Sequence, residues 1–165
     1  MLTTDLTVIG VDKILRELNA FDKEAQKVLR RDIREAVGIV RDEAAGYLPD
    51  RVLTNYGRWI ARKDGRDLSW DAGSARAGLK ARSSLKRSEG LYRVQGAVVN
   101  TSPITAIFAL AGSGAGNSQM GLRIRAQYSS RLYPRALGPA WHRHVDRVRV
   151  LIEDAIVKAA AAVGR

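Results

Sequence analysis

Apolar residues recur in steps of three and four across Asp22–Leu48: Ala25, Val28, Leu29, Ile33, Ala36, Val37, Val40, Ala44, Tyr47 and Leu48. That spacing puts them on one face of a helix. Lys27, Arg30, Arg31, Arg34, Arg41 and Asp42 take the other side. Pro49 ends the helix, because its ring fixes φ and turns the preceding residue away from the helical region. At 1.5 Å per residue the helix spans roughly 40 Å, about the width of a domain of this size, so other elements must pack along it. A second apolar face runs from near Pro139 to Ala162, marked by Trp141, Val145, Val148, Leu151, Ile152, Ala155, Ile156 and Ala159. Arg143, Arg147, Asp154 and Lys158 stand mostly opposite.

Shorter patterns fill the space between. Leu6 and Val8 flank Thr7 as on a half-buried strand. Asp12 is placed to cap a short helix carrying Ile14, Leu15 and Leu18 to about Phe21. Asn19–Asp22 is then either a break or a kink in one longer helix. Ser74–Leu79 has room for one helical turn. The stretches from Leu79 to Arg87 and from Leu91 to Asn100 read as strands, with Ser88-Glu89-Gly90 between them as turn chemistry. Pro103 opens a short apolar helix, Ile104–Leu110, since proline suits the first turn. Gly121–Tyr128 reads as a short strand or an arm. Together these predict an α+β fold: an antiparallel sheet of about four strands against a long N-terminal helix and a C-terminal amphipathic helix. The periodicity fails over residues 50–71 and 113–132, which are predicted as long loops or arms of one domain spanning residues 1–165. Tyr56, Trp59 and Trp70 argue against plain disorder in the first of these. They either pack the loop down or meet a partner, where Trp, Tyr and Arg are enriched.

Composition sharpens this in three ways. Aromatics are only 6% of the residues, so the core is predicted to be aliphatic. Cysteine is absent, which excludes disulfides and thiolate metal sites. The net charge of +11 favours a polyanion nearby: nucleic acid, an anionic surface or an acidic partner. The first predicted hairpin strand is strongly basic, with Lys80, Arg82, Lys86 and Arg87, and Arg93 follows in the second. That is either a phosphate-binding face or a solvated face that protects an edge. No apolar run approaches the roughly 18 residues of a membrane span, and Met1–Gly10 lacks the pattern of a signal peptide, so a soluble protein made inside the cell is expected, with no membrane partner.

Candidate chemistry is sparse. His142 and His144 point about 200° apart on a helix and cannot share a metal as an i, i+4 pair does. Asp42 with Glu43, and Glu153 with Asp154, are likewise splayed and read as salt-bridged surface charges. The loop Gly112–Ser118 lacks the Gly-Lys-Ser/Thr ending of a phosphate cradle and follows a helix rather than a strand. No nucleophile elbow is present. The expectation is a chain without catalytic, metal or cofactor sites.

The order of the pieces resembles a known family. A strand leads into Val8-Ile-Gly-Val-Asp-Lys-Ile-Leu-Arg-Glu-Leu; the long helix carries Ala36-Val-Gly-Ile-Val-Arg-Asp-Glu-Ala and ends Tyr47-Leu-Pro; Ala72-Gly-Ser-Ala-Arg-Ala-Gly-Leu leads into the basic strands; an apolar helix reaches Ala111-Gly112; and Tyr133-Pro-Arg-Ala-Leu-Gly-Pro-Ala opens the last helix. This is similar to the neck or tail-completion proteins of long-tailed phages, the minor-tail family related to the lambda tail-completion protein. The resemblance spans the chain except residues 50–70 and 113–132. It implies a structural virion protein at the top of the tail, assembled in the host cytoplasm. Copies would form a ring, six-fold by expectation, through head-to-tail contacts that close. Its neighbours would be the head connector or stopper protein and the tail terminator or tail-tube protein, with DNA passing through the lumen without sequence recognition. The subunit or partner contacts are expected at Tyr56, Trp59, Trp70, Arg123, Arg125, Tyr128, Arg131 and Tyr133 in the two arms. Lys80, Arg82, Lys86 and Arg87 are the candidates to face DNA. The competing reading is a nucleic-acid-binding protein that uses the same basic residues, with Arg123 and Arg125, on phosphates.

Overall fold

The computed structural model describes residues 2–8, 23–51, 69–88, 91–111, 119–128 and 134–163. In chain order these form β1 (Leu2–Val8), α1 (Lys23–Gly46), α2 (Ala72–Ala77), β2 (Leu79–Ser88), β3 (Leu91–Asn100), α3 (Pro103–Leu110), α4 (Gln119–Gln127) and α5 (Leu137–Val163). The three strands make one antiparallel sheet in the order β1-β3-β2. The expected helix between Asp12 and Phe21 lies outside the described residues.

Each long helix is set by its apolar stripe. Leu29, Ile33, Val37, Val40 and Leu48 of the α1 stripe are essentially inaccessible, as are Val148 and Ile152 of α5. At about 1.5–3 kcal/mol for each large aliphatic side chain buried, these two stripes dominate the folding energy. The helices run antiparallel. Glu43 near the end of α1 meets Arg143 and His144 near the start of α5, and Ala25 and Leu29 line one groove with Ala155, Ala159 and Ala162.

The sheet offers one face to this pair. In β3 the residues Val94, Gly96 and Val98 alternate onto that face, and the register puts Leu85, Ser83 and Ala81 of β2 beside them. Gly96 is the tightest point. A Cβ there would lie 2.7 Å from Val37 Cγ1, 3.1 Å from Ile33 Cγ2 and 3.2 Å from Ile152 Cδ1. Both helices therefore reach the central strand at one residue, and only the missing side chain lets them. Ser83 Oγ adds a 2.7 Å hydrogen bond to the carbonyl of Arg30, fixing α1 against β2.

The hairpin is joined to the smaller helices by caps. Asp71 accepts from the Ser74 amide at 2.6 Å and starts α2. Ser102 accepts from the Thr105 amide and starts α3, with Pro103 in the first turn. The buried Thr105 hydroxyl donates to the carbonyl of Ala75, so the two short helices lock together.

Two expectations are corrected. The sheet has three strands among the described residues, not about four, and Gly121–Tyr128 lies in helix α4 and the turn that follows it, not in a strand. The alternating arginines at 123 and 125 suggested a strand period of two. The deciding residues are Gly121, Ile124 and Tyr128, spaced three and four apart, with Ile124 fully buried. The arm predicted over 113–132 is thus interrupted by a helix, and most of the arm predicted over 50–71 lies outside the described residues.

The Gly96 contact gives a direct test. Gly96→Val is expected to cost about 1–3 kcal/mol of unfolding free energy through overpacking. Gly38, inside α1, is the control, because a Cβ added there would meet nothing within 4 Å. Gly38→Ala is expected to stabilise by about 0.5–1 kcal/mol through helix propensity. Urea denaturation of both variants checks the pair. Equal effects of the same sign would contradict the packing described.

Candidate functional site

One end of the domain gathers three aromatic rings and two arginines of the described residues. Phe108 of α3, itself buried, sits at its centre. The ring of Trp70 lies 5.3 Å from it and that of Tyr128 lies 5.2 Å away, edge-on, within the range where aromatic pairs attract. The polar ends of these side chains tie down the chain leaving α1. Trp70 Nε1 donates to the carbonyl of Pro49 at 3.1 Å, and the Tyr128 hydroxyl donates to that of Arg51 at 2.9 Å. Arg76 donates to the carbonyl of Leu48 at 3.0 Å and to Asp50 at 2.6 Å. Arg135, buried despite its charge, donates to the carbonyls of Phe108, at 2.7 Å, and Ala111. A helix leaves its last carbonyls without intrahelical donors, and a cation there also suits the helix dipole. Arg135 therefore caps α3 and holds the start of α5 against it.

This arrangement resolves part of the predicted arm chemistry. Trp70 and Tyr128 pack within the chain. Arg123 and Arg125 are exposed on α4. Tyr56, Trp59, Arg131 and Tyr133 lie outside the described residues. Arg135 was not singled out in the sequence. Its signal was available: α3 has no side chain of its own to cap its C-terminal carbonyls, and an arginine follows Pro134 where α5 begins.

The basic hairpin residues lie elsewhere. Lys80 and Arg82 are exposed on the sheet face opposite to the one that meets Ile33, Val37 and Ile152. The register sets Lys86 in the same row and Arg87 in the alternate one; only the backbone position of these two is described. Lys80 and Arg82 therefore share a face, and Arg87 is not in their row.

A third cluster joins the long helices. Glu43 accepts from the Tyr47 hydroxyl at 2.6 Å and from Arg143 at 2.7 Å on one oxygen, and meets His144 Nε2 on the other. Its neighbour Asp42 turns away to Arg41, so this splayed pair is ion-paired as expected, whereas Glu153 and Asp154 make no ion pair among the described residues. His142 is exposed and far from sharing this contact. The hydrogen bond from Tyr47, then that from His144, and the charge of Arg143 hold the Glu43 carboxyl below the usual carboxylate range. The same bond pushes the Tyr47 phenol up. Sequence reasoning did not bring Glu43 and His144 together, because that contact depends on the antiparallel register of α1 and α5. Among the described residues no group of three or more His, Cys, Asp or Glu could hold a metal ion, and no helix is long and apolar enough to cross a membrane.

No family model matches the chain, and no curated protein or solved structure matches it either.

The Glu43 contact predicts a signed pH effect. A carboxyl whose folded pKa is lowered contributes stability above its unfolded pKa, and that contribution is lost as pH falls through the folded value. The melting-temperature difference between the native chain and Glu43→Gln is therefore expected to be largest near neutral pH and to shrink below about pH 4. A difference that does not change with pH would contradict the role given to the carboxylate.

Proposed function

We propose that this chain is a structural subunit of the neck of a long-tailed phage, one copy of a ring that completes the tail and joins it to the head connector or stopper. DNA passes through the centre of that ring. The role is assembly rather than catalysis, and the site of action is the virion.

The observation that carries this reading is the convergence of chain ends at Phe108. Arg51, Trp70, Ala111, Tyr128 and Arg135 all meet in that cluster. The stretches between them, 52–68, 112–118 and 129–133, thus leave from or return to one end of a helical pair whose first member extends about 36 Å. Their sequences hold Tyr56, Arg58, Trp59, Arg62, Arg66, Arg131 and Tyr133, residue types that enrich protein interfaces. A closed ring needs two different patches on each copy that dock head to tail. The end at Phe108 and the opposite end of the helical pair offer two such different patches.

Size-exclusion chromatography with light scattering, followed by negative-stain imaging, tests the reading. The expected result is a ring of several copies, formed by the chain alone or on adding a phage tail-tube or connector protein. A monomer that joins neither under any of these conditions would contradict it.

A further inference from the structure

We infer that the face of the β2–β3 hairpin turned away from α1 and α5 is a binding surface for the phosphates of duplex DNA. This deepens the neck reading by naming the face that DNA meets, but its physical basis is charge and geometry that do not depend on ring formation.

The charge of the chain is not evenly spread. Residues 72–145 hold eleven Lys and Arg and a single acid, Glu89, so this stretch carries +10 of the net +11. The remainder of the chain is close to neutral. Within residues 72–145, Arg76 and Arg143 pair with Asp50 and Glu43 outside the hairpin. On α1, Lys27, Arg31 and Arg41 each have a carboxylate partner. On β2, Lys80 and Arg82 are exposed and have none among the described residues.

The geometry of the row fits a phosphate backbone. Lys80 and Arg82 alternate onto one face, opposite Val99 and Ala97 of β3, and the next positions in the row are Ser84 and Lys86, the latter paired with Arg93. Ala97 and Val99, on the central strand between β2 and β1, are themselves buried, so Lys80 and Arg82 on β2 are the exposed side chains of this face. Residues two apart on a strand are about 6.8 Å apart. That is of the order of the through-space separation of neighbouring phosphates on one strand, whose axial rise is about 3.4 Å each. The register of β1 adds one acid to this row, Asp5, on the far side of Ala97 from Arg82. Beyond the β2 edge, Arg30 and Arg34 of α1 are exposed and without ion pairs among the described residues, and the Ser83–Arg30 hydrogen bond places that turn of α1 directly against β2. Protection of a sheet edge needs a charge or two on the edge strand. It does not call for a row of cations without carboxylate partners on one face.

The test is fluorescence anisotropy of the full chain with a labelled random duplex of about 30 base pairs, over roughly 50–300 mM NaCl. Lys80→Gln/Arg82→Gln is expected to flatten the plot of log affinity against log salt by about 1.8, the loss of two phosphate contacts. A fourfold rise in salt would then weaken binding about twelvefold less than in the native chain. Arg147→Gln/Arg149→Gln removes the same charge from exposed positions of α5 and is expected to leave the slope nearly unchanged. Unaltered melting temperatures confirm that both double variants fold. The inference is overturned if the chain does not bind at the lowest salt, if the two double variants flatten the slope equally, or if single-stranded RNA or polyglutamate binds more tightly than the duplex. Running the assay on monomeric and assembled fractions separates this outcome from that of the ring: binding without rings leaves the surface standing, and rings without binding remove only the surface.

Discussion

The fold depends on a close approach at one residue. Two long helices must each bury an apolar stripe, and a three-stranded sheet has one face to offer them. Both reach the central strand at Gly96, where Val37, Ile33 and Ile152 occupy the volume a side chain would take. The sheet then has a helix-covered face and an opposite face, and the helices have a defined antiparallel register. From that register come the contact of Glu43 with Arg143 and His144 at one end and the alanine-lined groove at the other. Cores pack to near-crystalline density, so a side chain at this point would move every element at once.

This division gives the molecule separate regions for separate jobs. The α1–α5 pair is a rod held by aliphatic burial. The end at Phe108 is fixed by side chains that satisfy main-chain carbonyls, with Trp70, Arg76, Tyr128 and Arg135 acting on residues 48–51 and 108–111. The hairpin face is where cations lack partners among the described residues. Under the proposed neck function the rod sets distance, the fixed end roots the stretches that contact a neighbouring copy, and the hairpin face meets the polyanion. The ionisable groups that would attract attention as chemistry, Glu43 and His144, instead join two helices.

The long helices, the hairpin and the apolar helix after Pro103 were legible in the sequence because each has a strong period and a clear stop: Pro49, the turn at Glu89-Gly90, and the cap at Ser102. Helix α4 was misread because Arg123 and Arg125 alternate across Ile124, and a nine-residue element shows too few turns for its period to stand out. The basic row was legible as a possible face, but Arg87 was grouped with it although strand alternation sets position 87 opposite to Lys80, Arg82 and Lys86. Arg135 and the Glu43–His144 contact were not legible at all. Each joins positions 24 to 101 residues apart, and no local pattern encodes such a distance.

Native-state hydrogen exchange tests the central claim most directly, because it ranks local stability along the chain. If α1 and β3 are the scaffold on which the rest is laid, the amides of Ile33–Val40 and Val94–Val98 should be the slowest, exchanging only through global unfolding, with those of α4 opening earlier. Exchange in Ile33–Val40 or Val94–Val98 as fast as in α4 would contradict the account.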